Sequence, residues 1–174
     1  QAPELVLRMC ELHGDAPGQG VHYLDGTLFE PGFSLEGAAG YAIAVDRYIR
    51  DTNDDQIVEE PIVADTLYLS HDDLVARRDK RVPLFATEVT PSGAPASHPY
   101  TLHGNAVVSQ ALEVFRRTLD EETARDVEDP ETVRPPLPRH FAGTEAKAVF
   151  SSATDLAGTS SVADDPLASV LWLP

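Results

Sequence analysis

A chain of 174 residues, 42% of them hydrophobic, holds enough apolar material for one domain with a real core, or one domain with an arm, and is short for two. Its 29 acidic residues outweigh 13 basic ones and leave a formal charge of -16, a surface that repels phosphate backbones and anionic headgroups and so argues against nucleic acid and membrane partners. The basic residues are eleven Arg and only two Lys (Lys80 and Lys147), a bias that suits either a GC-rich genome or adaptation to molar salt, where the Debye length falls to about 3 Å.

Taken in chain order, the apolar run 5–10 reads as a strand that ends in the turn-rich segment 13–20. Over 21–29, Tyr23-Leu24 and Thr27-Leu28-Phe29 flank Asp25-Gly26, a dipeptide that tolerates the positive φ of a tight turn, so a hairpin is predicted, closed by Pro31-Gly32. The stretch 41–69 is the part around which the rest is expected to pack. Its first apolar run is ambiguous between a helical stripe and an alternating strand. Gly37 and Gly40 would each cost roughly 1 kcal/mol in a helix interior, which favours a loop over 34–40 and a strand over 41–50. After the polar break 51–55, the β-branched residues of 57–69 argue for a second strand, with Pro61 placing its first half at an edge or a bulge.

Ser70 reads as the cap of a short helix over 70–76, with Asp72 and Asp73 in its first turn, and 82–89 as a further strand before the proline-containing loop 90–99. The clearest helix spans 105–117, where Val108, Ala111, Leu112, Phe115 and Leu119 recur at helical spacing behind a capping Asn105. The acidic run 120–129 frays that helix or starts a second one, which Asp129-Pro130 stops. Three prolines stiffen 131–138, and 146–150 reads as one more strand. The segment 151–165 has little to bury, yet the chain ends in an apolar tip with Leu171, Trp172 and Leu173. The fold expected from this pattern is α+β: an antiparallel sheet or β-sandwich of about five to eight strands, one main amphipathic helix at about 105–119, and an extended C-terminal arm. The domain reading is a single unit over 1–150 with the arm at 151–174.

Chemical signatures are sparse. Cys10 is alone, which removes an intrachain disulfide and a cysteine metal cluster, and it reads as a small buried hydrophobe. No run of eighteen apolar residues stands for a membrane span, and residues 1–10 lack the pattern of a signal peptide, which favours a cytoplasmic location or one within an assembled particle. The six histidines lack metal-ligand spacing, although His22, His98 and His103 invite a reading as converging loop ligands. His71-Asp72 matches the dipeptide of metal-dependent phosphohydrolases of the HD type, but helix capping accounts for it equally. No nucleophile elbow and no phosphate-binding glycine loop is present.

What remains is charge patterning. Arg77, Arg78, Lys80 and Arg81 form a basic island, while 51–73 and 120–131 are acidic, an arrangement suited to head-to-tail association of protein subunits. The expectation from sequence is therefore a non-catalytic structural or interaction protein, a subunit of a larger assembly such as the virion or capsid of a halophilic host, with no cofactor. Its partner-binding residues are Arg77, Arg78, Lys80, Arg81, Leu171, Trp172 and Leu173. The alternative is a small metal-dependent hydrolase that uses loop histidines.

Overall fold

Ser34 is extended (φ -111°, ψ 119°) and its hydroxyl accepts the Gly37 N–H, which starts a helix, α2 (Leu35–Thr52), that ends at the left-handed Asn53 (φ 57°). Around it the computed structural model describes residues 2–23, 25–142 and 150–161. Before α2 come α1 (Ala2–His13) and a hairpin of β1 (Gln19–His22) and β2 (Leu28–Phe33). After it come a 3-10 turn (Gln56–Glu59), α3 (Pro61–Ala76), β3 (Tyr100–Thr101), α4 (Leu102–Thr118), α5 (Glu121–Asp126), α6 (Pro130–Val133), α7 (Pro136–Phe141), β4 (Ala153–Thr154) and β5 (Ser160–Ser161). No helix among the described residues is long and apolar enough to cross a membrane.

The fold is mainly helical, which corrects the expected β-sandwich with one main helix. Among the described residues the sheets are small, one of two strands and one of three. Three segments read as strands are helices, each for a traceable reason. In α1, only Val6 and Cys10 of the apolar run are fully buried, one helical turn apart, while Leu5 is 72% exposed. In α2 the glycine penalties are outweighed by the burial of Leu35, Ala38, Ala39, Tyr41, Ala42, Val45 and Tyr48 on one face, since a single large apolar side chain contributes about 1.5–3 kcal/mol. In α3 the buried stripe is Val63, Thr66, Leu67, Ser70, His71 and Leu74, which is helically spaced but half polar. Pro61 is the first residue of that helix, where its missing N–H costs nothing, and no edge strand exists there. Ser70 is no cap: it lies inside α3 and donates to the Ala38 carbonyl at 2.5 Å.

Helix directions follow from side-chain neighbours. Ser70 of late α3 meets Ala38 of early α2, so these two run antiparallel. Leu5, Val6 and Met9 of α1 border the same groove as Ala44, Tyr48 and Asp51 of α2, so α1 opposes α2 as well. By contrast, Gly104 of early α4 lies against Leu35 and Glu36 of early α2, and Arg117 of late α4 pairs with Asp46 of late α2. Helices α2 and α4 therefore lie side by side and parallel. Their shared interior, with α3, is filled by Val45, Val63, Leu67, Leu74, Val108, Ala111, Leu112 and Phe115.

This arrangement gives the molecule two unlike ends. At the C-terminal end of α2 the chain reverses within the short segment 53–60. At the N-terminal ends of α2 and α4 lie the long connections 14–34 and 77–101. The second, read partly as a strand over 82–89, is irregular apart from isolated bridges at Arg78–Phe85 and Val89–Pro95 and the short β3 at its end. It rests on a second apolar cluster of Leu84, Tyr100, Leu102, Ala106, Leu137 and Phe141. The main helix begins at a Thr101 cap, earlier than expected, and Asn105 is a fully buried strut whose Oδ1 accepts from the Phe85 N–H at 2.7 Å and whose Nδ2 donates to the Phe85 and Thr101 carbonyls. Asp129-Pro130 starts a helix where a stop was expected, because the Asp129 carboxylate takes the Glu131 N–H. The predicted hairpin is present: Tyr23 N–H donates to Thr27, and Gly26 takes φ 92° in the turn. In place of a fully extended arm, the described residues of the C-terminal section supply β4 and β5, with β4 on β3. The strand expected over 146–150 lies almost wholly outside the described residues.

Candidate functional site

Two helices that begin side by side bring to one place two positive dipole ends and first-turn amide hydrogens that must find partners outside the regular helix ladder. Here Ser34 caps α2 through Gly37 N–H at 3.0 Å, and Thr101 caps α4 through Gly104 N–H at 3.2 Å. The first turn of α2 carries Glu36. One carboxylate oxygen faces the Ser34 hydroxyl at 3.4 Å, and the other is buried against the backbone of α4. Gly104 is what permits that approach: a Cβ there would stand 3.1 Å from Glu36 Oε1, 3.0 Å from Leu35 and 2.6 Å from the Thr101 hydroxyl. Beside it in the first turn of α4 is His103, whose Nδ1 is buried without a hydrogen-bond partner among the described residues.

The two long connections wall this place. Glu88 accepts the Phe33 N–H at 2.8 Å and a guanidinium hydrogen of Arg77 at 2.6 Å, so the 77–101 connection is tied to the end of the hairpin. The Arg77 contact comes first and the Phe33 amide second among the causes that hold the Glu88 carboxyl below its ordinary value. Arg77 also lies 4.3 Å above the Phe33 ring. Burial raises the nearby Asp73 carboxyl, against the opposing charge of Arg77. On the other side of Glu36 a cleft of about 620 Å³ opens between α1, the hairpin and the first turn of α2, reaching Tyr41, which burial pushes up to about 12.

Of the residues singled out from sequence, the basic island is spread out. Arg77 serves the Glu88–Phe33 junction, and Arg78 grips Glu128 through two bonds of 2.5 and 2.7 Å. Arg81 lies 3.7 Å from Asp79, and Lys80 is exposed. Leu171, Trp172 and Leu173 lie outside the described residues. His71 Nδ1 lies 3.4 Å from the Asp72 carboxylate, but the two differ in burial: His71 packs edge-on against Phe115 at 5.5 Å with 7% of its side chain exposed, whereas Asp72 is 78% exposed. Cys10 is buried and free, and burial raises its thiol above the ordinary value. Glu36 carries no signal in the sequence beyond a Ser two residues before it, at the start of an apolar stripe.

No protein-family model matches the chain, and no curated protein matches it. Among solved structures it is similar to a Streptococcus pneumoniae protein from a family of widely distributed metal-independent α-mannosidases, described in the context of N-linked glycan processing and determined as a non-productive complex with α-1,6-mannobiose. The TM-score is 0.74 at 14% identity, over 98% of this chain and 54% of that one, so the chain spans about half the length of the enzyme it matches. The likeness is one of fold. The expectation of a virion or capsid subunit is corrected by the fold: the described residues form a helical arrangement shared with a protein described as an α-mannosidase, and no capsid-type sandwich is present among them. The metal-dependent alternative is corrected on geometry as well. His22 lies on β1, His98 stands beside Asp155 and His103 begins α4, and among the described residues no three His, Cys, Asp or Glu side chains are placed to hold a metal ion.

Proposed function

We propose that the chain is a carbohydrate-acting unit of the glycosidase kind, which receives a neutral glycoside at the paired N-termini of α2 and α4 and presents the Glu36 carboxylate to it. The single observation behind this is the placement of Glu36 at the mouth of the cleft on a fold shared with an α-mannosidase. A carboxylate accepts hydrogen bonds from two vicinal sugar hydroxyls, and each charge-assisted bond of this kind is worth about 1.5–3 kcal/mol when water is displaced.

Glycoside hydrolysis uses two carboxyl groups that flank the scissile bond, one to protonate the departing oxygen and one to act on the anomeric carbon or on water. Glu36 is offered as one member of such a pair. Glu88 does not serve as the second, because it is held by Arg77 and the Phe33 amide.

The test is titration of the purified chain with α-1,6-mannobiose, followed by amide NMR shifts and calorimetry. The expected result is movement of the Glu36, Gly37 and Gly104 signals, with affinity falling about tenfold or more in Glu36→Gln while the far-ultraviolet circular dichroism stays the same. A chain whose spectrum is untouched by millimolar mannobiose, or whose Glu36→Gln variant binds it equally well, defeats the proposal.

A further inference from the structure

The cleft beside Glu36 has a composition of its own. Leu5, Met9 and Leu12 of α1 form an apolar wall, and opposite them the hairpin contributes His22 and Tyr23. Tyr23 is 54% exposed, yet its ring is braced edge-on by Phe29 at 5.1 Å and 71°, which leaves a face uncovered. His22 lies at 4.7 Å from His13, the last residue of α1, so the hairpin is docked to the helix by two imidazoles. Burial first, and the charge of His22 second, push His13 below the ordinary imidazole value. At neutral pH it is therefore uncharged and able both to donate and to accept. The volume of about 620 Å³ lies within the range of about 300–1,000 Å³ usual for small-molecule sites.

Wall, aromatic face and hydrogen-bonding imidazoles together suit a ligand that is apolar on its faces and polar at its edge. An anion is disfavoured by Glu36, and Arg8 at the rim is already paired with Glu11 at 3.2 Å. A pyranose ring has this chemistry: its axial C–H faces stack on an aromatic ring while its hydroxyls radiate in the plane.

Resting on the proposed role of Glu36, we propose that this cleft is a second sugar subsite, in which the residue adjoining the one at Glu36 stacks on Tyr23 and hydrogen-bonds to His13 and His22. Ser34, Glu36 and Gly37 border both places, so one disaccharide spans them. The chain then recognises a linked pair of hexoses and discriminates against a single one.

The test compares α-1,6-mannobiose with methyl α-mannoside on the same protein by calorimetry. The wild-type chain is expected to prefer the disaccharide by about tenfold, and that ratio should fall towards one in Tyr23→Ala and in Leu12→Trp, which fills the cleft from the other side. The disaccharide alone should shift the amide signals of Leu12, Gly20 and Tyr23. A preference that survives both substitutions, in variants shown folded by circular dichroism, overturns the subsite and leaves the Glu36 reading standing. Failure of the wild-type chain to bind either sugar overturns both.

Discussion

The two ends of the helical layer spend the same residue types differently. At the C-terminal end of α2, acidic and hydroxyl side chains close short local circuits. Tyr48 donates to Asp54 at 2.6 Å, Thr52 bonds back to the Tyr48 carbonyl and Asp54 takes the Gln56 N–H, with the long-range bond of Tyr68 to the α5 cap Asp120 added to them. At the opposite end the bonds that matter are long in sequence: Asn105 to Phe85, Glu88 to Phe33, Thr87 to the Phe33 carbonyl. Local circuits make an end that holds itself, whereas tertiary struts can hold two loops apart and leave Glu36, His103 and a cleft between them. That difference is why the proposed function is placed at that end.

The largest effect expected on this contrast comes from Asn105→Ala. It strands the Phe85 N–H and carbonyl in an interior where Phe85 is 1% exposed, and each buried amide group left unpaired costs about 1–3 kcal/mol. Urea unfolding should show a loss of about 2–4 kcal/mol, with proteolysis of the 77–101 connection rising more steeply than that of α2. A loss below about 1 kcal/mol would mean that the long connection does not depend on its strut.

That prediction also shows where the sequence was legible. Helix α4 was readable because its buried residues are apolar and helically spaced, and the hairpin because Asp25-Gly26 names its turn. Helix α3 was not, since Thr66, Ser70 and His71 occupy half of its buried stripe, and a pattern of apolar residues alone cannot show it. The glycines of α2 misled for a different reason. Gly37 sits at a close approach, a Cβ there standing 3.3 Å from Gly18, while nothing lies within 4 Å of one at Gly40, so the same residue type carries different information three positions apart. Asn105 looked like a cap because caps are what Asn at a helix start most often does; its long-range partner was invisible. Glu36 was missed because its role depends on α4 arriving beside it, which no local spacing encodes.

Gly104→Ala probes that arrival next. The added methyl meets the Thr101 cap, Leu35 and Glu36 together, so a cost of about 1–3 kcal/mol is expected. Sugar affinity should fall in parallel as Glu36 is pushed from the backbone of α4. Unchanged stability with unchanged binding would show that the two helix starts are less closely joined than the structure has them.

A matched pair of caps sharpens the contrast with smaller effects. Ser34→Ala removes the bond that satisfies Gly37 N–H and should cost about 1 kcal/mol together with some binding. Asn53→Gly, at the other end, replaces a left-handed residue with the one that holds φ 57° without strain. It should leave stability equal or higher by less than about 1 kcal/mol and leave binding untouched. Equal losses of binding from both would erase the distinction between the ends.

The smallest effect is a slope with pH, and it belongs to the functional end. Asp79 accepts the Arg81 N–H at 2.7 Å, the Tyr100 hydroxyl at 2.8 Å and the Val82 N–H at 3.2 Å. These bonds, the Arg81 amide first and the Tyr100 hydroxyl second, lower its carboxyl to about 2, below the ordinary value of 3.8. A group whose folded value is depressed stabilises the fold above its unfolded value and loses that contribution as pH falls through the folded one. The denaturation midpoint should therefore drop between about pH 4 and pH 2, and Asp79→Asn should flatten that part of the drop, since the amide oxygen still accepts but no longer titrates. Because Asp79 ties the turn at 79–82 to Tyr100 of β3, the midpoint of Asp79→Asn at pH 7 should lie below that of the wild type, and the two curves should converge near pH 2. Parallel curves across the whole range would show that the bonds to Asp79 are spectators, and that the 77–101 connection is held by Asn105 and Glu88 alone.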